Sequence, residues 1–364
     1  MTTLGDRIRA VLSTPASKEP GRLDTRAAAS ADIRRALRER QQPDNDLESV
    51  LGGQWRPADR LPCFVVETRF DPLHSYGGET IGTLAGRLAD TREAAQVLGG
   101  TAVCEPFVFF DLETTGLSGG AGTVAFLVGC GGFEADGAFV IRQYLLARLG
   151  DERALLDSVA RELTCAGSLV SFNGKSFDAP LLESRYLYHR LDWVGEHLPH
   201  LDMLHVARRF WRDSGDTPRE MAPLDGARLS EESDELAECS LCGLERRLLR
   251  THRTGDVSGY EIPSRYFRFL RTGDATPLRR VLEHNRLDLL TLANLTARAI
   301  NLVRLGSEQV RHPREALALG RIYSRAGFEA RAHLAYQHAV ELSRPAVSSE
   351  VHVEALRFLA RAMR

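Results

Sequence analysis

Residues 107–116, Phe-Val-Phe-Phe-Asp-Leu-Glu-Thr-Thr-Gly, set the terms on which the rest of the chain is understood. The apolar, aromatic run 107–110 reads as a buried strand. Period-two alternation then puts Asp111 and Glu113 on one face at the strand's end. Two carboxylates side by side at the end of a buried strand repel each other unless a cation is shared.

On the C-terminal side a Gly-rich turn (116–122) leads into a second strand over 123–133. Ala135-Asp136-Gly137 is a hairpin signal, and 138–147 continues as a third strand. Helical spacing follows over 151–164, then a short buried strand near 168–172, a helix over 179–190 and a short strand over 200–204. Upstream, 63–70 reads as a strand, 74–79 as a turn and 27–41 as a helix. Residues 213–238 are polar and acidic and read as a loop or lid without a core of its own. Helical stretches are expected at 241–249, 264–271 and 277–305.

The last 58 residues carry a different pattern. Leu319, Gly320, Tyr323, Ala332, Tyr336 and Ala339 fit the 34-residue helix-turn-helix repeat called TPR, with Pro345 one position late. A second helical run, 351–364, reads as the start of another repeat. One repeat cannot bury its apolar face unaided, so this hairpin is expected to pack on the preceding helix. The expected organisation is a polar, helical and partly disordered segment (1–60), a strand-containing lead-in (61–101), a main domain (102–306) and a helical tail (307–364).

Composition narrows the function. The 364 residues are 43% hydrophobic and 26% charged, which excludes collagen-like, low-complexity and wholly disordered chains. The formal net charge of −2 provides no global basic field, so nucleic-acid binding needs a local patch. One such patch is 246–280, with nine Arg against three acids and Tyr260, Tyr266, Phe267 and Phe269 interleaved. Arg with aromatics suits single-stranded nucleic acid; the plainer alternative is an amphipathic helix with a solvated Arg face. Lysine occurs only at Lys18 and Lys175. Cys239 and Cys242 have metal-ligand spacing, but no second such pair and no His pair completes a zinc site, so they read as structural. No run of 18 apolar residues and no signal-peptide core is present, so a soluble cytoplasmic protein with no membrane partner is expected.

Two further carboxylates join Asp111 and Glu113. Asp178 ends Asn173-Gly-Lys175-Ser-Phe-Asp and opens a helix; Asp288 shares a helix face with His284, four residues before it. Singly, Asp178 could be an N-cap, Asp288 a solvated surface acid and Glu113 a turn residue. In this order they are what a two-metal phosphodiester site needs, because hard divalent ions take oxygen ligands from several elements.

Three motifs, Phe-Asp-Leu-Glu-Thr-Thr-Gly-Leu (110–117), Phe-Asn-Gly-Lys-Ser-Phe-Asp (172–178) and His-Asn-Arg-Leu-Asp (284–288), resemble the DEDD superfamily of 3′–5′ exonucleases. Within it the chain looks most like the bacterial YprB-type proteins, from about Val103 to Leu305, with further matching text at 200–205 and 259–263. The resemblance implies an α/β, RNase H-like mixed sheet flanked by helices, followed by the α-helical TPR-like hairpin. It implies a metal-dependent nuclease acting 3′ to 5′ on single-stranded DNA or RNA. Asp111, Glu113, Asp178 and Asp288 would hold two Mg²⁺ or Mn²⁺ ions. Relatives place a Tyr, or a His one residue further away, before the last Asp; here His284 stands at the Tyr spacing and could be the general base or a hydrogen-bond partner of the water. Thr114, Leu117, Asn173, Lys175 and Asn285 would contact substrate, Asp202 would be structural, and the tail would dock a protein.

Two other motif matches fail on context. Gly116-Leu-Ser118-Gly-Gly120 and Gly120-Ala-Gly122 match a hydrolase elbow and a dinucleotide loop, but a strand follows where either needs a helix. The remaining alternatives are a non-catalytic nucleic-acid binder with a TPR adaptor and an endonuclease on the same fold.

Overall fold

The computed structural model describes residues 44–58, 61–99, 103–116, 122–212, 239–344 and 349–362. The expected helix over 27–41, the acidic segment 213–238 and Leu117 lie outside them. The chain divides into two compact units, Met1–Glu48 and Ser49–Arg364. Of the first, only residues 44–48 are described, as the opening of helix α1 (Asp44–Leu51).

Among its described residues the second unit has nine strands: β1 (Gln54–Arg56), β2 (Cys63–Phe70), β3 (Ser75–Tyr76), β4 (Glu79–Thr80), β5 (Phe107–Thr114), β6 (Ala125–Phe133), β7 (Phe139–Leu145), β8 (Ser168–Ser171) and β9 (His200–Asp202). Seven form one mixed sheet in the order β1-β2-β7-β6-β5-β8-β9, while β3 and β4 make a separate hairpin. Pairing is antiparallel from β1 to β5 and parallel across β5, β8 and β9. This is the expected RNase H-like α/β sheet. The β6–β7 turn is the one read from Ala135-Asp136-Gly137, with Gly137 at φ +84° supplying the left-handed step.

The helices are α2 (Ile81–Leu88), α3 (Arg92–Gly99), α4 (Glu152–Thr164), α5 (Asp178–Tyr188), α6 (Met203–Phe210), α7 (Leu241–Leu244), α8 (Ile262–Thr272), α9 (Leu278–Leu305), α10 (Pro313–Arg325), α11 (Glu329–Ser343) and α12 (Glu350–Ala362). The 28-residue α9 lies on the sheet, with α2, α3 and α6 beside it; α4 covers the other face. The core between sheet and α9 includes Phe109, Phe139, Ile141 and Leu289, each fully buried. Each such side chain contributes roughly 1.5–3 kcal/mol relative to exposure.

Several expectations are corrected. The lead-in 61–101 is not separate, because β2 pairs with β7 along its length and β1, from the polar N-terminal stretch, adds an outer strand. The strand expected over 200–204 stops at Asp202, whose carboxylate caps the N-terminus of α6. The helix expected over 241–249 turns π-helical from Glu245. Tyr266 and Phe269 are core residues rather than a stacking surface. Tyr266 stacks on Phe126 at 4.0 Å between ring centroids, and its hydroxyl donates to the Leu146 carbonyl.

The tail packs as expected. The Tyr323 hydroxyl donates to the Val303 carbonyl at 2.6 Å, tying α10 to α9. Gly320 lies so close to Tyr336 that a Cβ there would meet the ring at 2.3 Å, which sets the spacing of the α10–α11 hairpin. Among the described residues no helix is long and apolar enough to cross a membrane.

Candidate active site

Asp111 and Glu113 sit on β5 on one face, as the alternation requires. Asp111 pairs across the sheet with Gly129 on β6, and Gly129 with Gln143 on β7, so these three form one row beneath α9. The absent side chain at Gly129 is what admits α9. A Cβ there would lie 2.3 Å from Asn285 Oδ1 and 2.8 Å from a Leu289 methyl. In that space the fully buried Asn285 donates through Nδ2 to Asp111 Oδ2 (2.8 Å) and to the Asp111 carbonyl (3.2 Å). Gln143 Nε2 in turn donates to Asn285 Oδ1 and to the Leu282 carbonyl, both at 2.8 Å. Asn285 therefore fixes Asp111 from inside the core, which corrects its expected place against the substrate.

The second motif is held by Asp202. Its carboxylate accepts from the backbone N–H groups of Asn173 (2.8 Å), Lys175 (3.1 Å) and Leu204 (3.0 Å), joining the loop to the start of α6. The structural role expected for Asp202 has this physical form. Asn173 takes φ +66°, a left-handed conformation that Asn tolerates better than most residues. Gly174 lies against Asp178, whose Oδ2 would be 3.0 Å from a Cβ at 174. Asp178 then opens α5, and Lys175 is exposed on the loop. The Thr114 hydroxyl donates to the Gly116 carbonyl at 2.8 Å and shapes the turn after β5.

His284 and Asp288 share one face of α9, with His284 Nε2 3.4 Å from Asp288 Oδ2. Three further residues stand behind them. Arg253, 6% exposed, donates to Asp288 Oδ1 at 2.6 Å and to Glu245 Oε2 at 2.7 Å, and lies 3.4 Å from Asp256. Glu245 also accepts from the Tyr76 hydroxyl at 3.0 Å. Asp256 Oδ1 lies 2.7 Å from His284 Nδ1. None of the three stood out in the sequence, because they come from a turn and a loop with no periodicity, and one buried Arg is inconspicuous among 45. Gly129 and Gln143 were equally silent; only their alignment across the sheet gives them a role.

Charge explains the chemistry available here. Burial pushes Asp111 well above the ordinary carboxylate range, and the charges of Asp288 and Asp178 push it further; Asn285 opposes them. Glu113 is also raised well above its usual value, by burial first and then by Asp111, Asp288 and Asp178. Asp178 is pushed up to about 7 by burial and by Asp202. Asp256 goes the other way: burial would raise it, but His284 and Arg253 outweigh that and hold it below the usual range.

The carboxylates of Glu113 and Asp178 accept no hydrogen bond and make no ion pair with any described residue. The buried Glu113 and the half-buried Asp178 thus have no cation among the described residues to offset their charge. The four acids offer oxygen donors alone, the set that Mg²⁺ and Mn²⁺ prefer. Among the described residues, no three Asp, Glu, His or Cys side chains already converge as ligands of one ion. The donor chemistry fits divalent cations. Neither Cys239 nor Cys242 forms a disulfide; Cys239 is buried and Cys242 half-buried.

Comparison with known proteins agrees with this architecture. Residues 108–300 match the family model RNase_H_2, of the RNase_H superfamily, a span that runs from β5 to the latter part of α9. The chain is also similar to the uncharacterized protein YprB of Bacillus subtilis (strain 168), at 34% identity over 215 residues. The matched region covers 58% of this chain and 46% of that protein, so the chain spans less than half the relative's length.

Proposed function

The chain belongs to the RNase H superfamily, and from that premise we propose that it is a metal-dependent nuclease that hydrolyses phosphodiester bonds in single-stranded nucleic acid from the 3′ end. The observation that carries the proposal is the pair Glu113, buried, and Asp178, half-buried, whose carboxylates lie beside Asp111 and Asp288 and meet no guanidinium or ammonium among the described residues. Two Mg²⁺ or Mn²⁺ ions held by Asp111, Glu113, Asp178 and Asp288 would, when bound, activate a water and stabilise the leaving 3′-oxygen.

The chain's own side chains divide the remaining work. Asn285 keeps Asp111 in one rotamer, and Arg253 does the same for Asp288. His284 accepts the proton of the attacking water at Nε2, the ring nitrogen beside Asp288. Asn173 and exposed Lys175 offer an amide and a cation to the phosphate on the Asp178 side. Phe177 and Tyr260, 59% and 83% exposed, supply the aromatic faces for stacking bases that Tyr266 and Phe269 cannot. The α10–α11 hairpin, with Gly320 against Tyr336, supports a TPR-like repeat that docks a protein partner.

The test is cleavage of 5′-labelled single-stranded DNA and RNA in Mn²⁺ or Mg²⁺, with EDTA, Asp111→Ala and Asp178→Ala as controls. A ladder shortening from the 3′ end, abolished by all three controls, is the expected result and identifies the preferred nucleic acid. Internal cuts would keep the metal chemistry and make the protein an endonuclease. Folded wild-type protein that cleaves neither substrate, yet retains both in a gel shift, would be a binding module.

A further inference from the structure

The loop between the π-helical turn Glu245–Leu249 and α8 carries two charged residues that reach the third motif from outside it, Arg253 and Asp256. A neutral imidazole has one N–H and one bare nitrogen, and the partner of one nitrogen decides the state of the other. At 2.7 Å from His284 Nδ1, an ionised carboxylate can only accept, and Asp288 lies farther from Nε2 at 3.4 Å, so in the neutral ring the one proton sits at Nδ1 and the lone pair at Nε2. The bare Nε2 is the nitrogen that faces Asp288.

Asp256 is itself held in place. The Val257 N–H donates to its Oδ1 at 2.9 Å, and Arg253 Nη1 lies 3.4 Å from its Oδ2. Arg253 binds Asp288 Oδ1 at 2.6 Å at the same time. One buried guanidinium thus anchors the groups at both ends of the imidazole. Without Asp256, the proton is free to move to Nε2, where Asp288 would accept it, and the lone pair toward the carboxylates would be lost.

We propose that Asp256 is a positioning residue that fixes the tautomer and ring orientation of His284, leaving Nε2 open to accept a proton. The use made of Nε2 rests on the nuclease reading given above; the tautomer does not.

The experiment therefore has two readouts on the full chain. In metal-free, ¹⁵N-histidine-labelled protein, long-range ¹H–¹⁵N spectra distinguish the two tautomers, and His284→Gln identifies the signal among the 11 histidines. The wild type is expected to show His284 protonated at Nδ1, and Asp256→Asn to move population to the Nε2–H form. On saturating oligonucleotide, Asp256→Asn should lower kcat roughly 10–100-fold, as loss of an outer partner of a site residue typically does, with KM unchanged. Asn keeps the shape of Asp and can still accept from Val257, so the variant should fold; Asp256→Ser is the second variant, with the same expectation. A His284 tautomer unaffected by both variants overturns the assignment, as does an unaltered kcat in a protein that cleaves. If wild-type protein cleaves nothing, the nuclease reading has failed, and the spectra alone still decide whether Asp256 positions His284.

Discussion

Glu152 and Asp178 are each the first residue of a helix, α4 and α5, yet their carboxylates are handled in opposite ways. The helix dipole favours both equally, so it cannot be the cause of the difference. Glu152, 4% exposed, receives a bidentate guanidinium, with Arg185 Nε at 2.6 Å and Nη2 at 2.5 Å, and His189 Nε2 lies 2.8 Å from the same carboxylate. Burial would raise its pKa, but these partners outweigh burial and hold it below the ordinary value. Asp178 has no such partner and is pushed up to about 7. For Glu152, which serves the fold, the chain supplies the cation; beside Glu113 and Asp178 no described residue does, and the proposed metal site rests on that contrast.

The sharpest way to break this comparison is to take the cation from the structural group. Arg185→Met should destabilise the protein by about 3–5 kcal/mol, because it strips a buried carboxylate of its bidentate guanidinium and leaves only His189 Nε2 beside it. Urea unfolding would read the loss. If the midpoint hardly moves, Glu152 is not held as argued.

The candidate site should behave in the reverse sense. A carboxyl with a raised folded-state pKa is favourable when protonated. Asp178 therefore erodes stability as pH rises from its ordinary value of 3.8 towards about 7, whereas Glu152 loses its contribution as pH falls below the ordinary 4.5. Metal-free protein should lose stability between about pH 4 and pH 7, and Asp178→Asn should remove part of that fall. Mn²⁺ at a hundredfold excess over its dissociation constant should add about 2.7 kcal/mol to the wild type, and clearly less to Asp178→Asn. Binding must displace protons from the raised carboxyls, so apparent affinity should weaken as pH drops through 7. Calorimetry in two buffers of different ionisation enthalpy would count those protons.

The contrast also explains what could be read in the sequence. Asp111 and Glu113 were legible because a strand's period of two is visible in the letters, and His284 with Asp288 because a helix brings i and i+4 together. The order of the three motifs added Asp178. Arg253 and Asp256 come from irregular backbone, which has no period, Glu245 from the point where a helix turns π-helical, and all three meet α9 only in three dimensions. Tyr266 and Phe269 were misjudged although a signal existed: Ile262, Tyr266 and Phe269 stand at i, i+4 and i+7, the spacing of a buried helical stripe. Their interleaving with Arg drew attention to charge instead of period. The lead-in 61–101 was set apart because sheet order is not sequence order, and β2 pairs with a strand some 70 residues later.

A smaller effect tests whether the site is preorganised from beneath, as the structural group is. Gly129→Ala puts a methyl group 2.3 Å from Asn285 Oδ1, with backbone and side chain both confined between sheet and α9. Overpacking of this kind costs about 1–3 kcal/mol. Gly132→Ala on the same strand is the control, since its Cβ would meet only the Phe107 carbonyl at an ordinary 3.7 Å; its effect should stay within about 0.5 kcal/mol. The two glycines differ in what lies above them, not in backbone conformation, for neither has a positive φ. If Gly129→Ala lowers stability but leaves cleavage per folded molecule intact, the row Asp111, Gly129 and Gln143 serves the core alone. If cleavage falls by more than the folded fraction accounts for, the missing side chain at 129 is part of how Asn285 holds Asp111 in position.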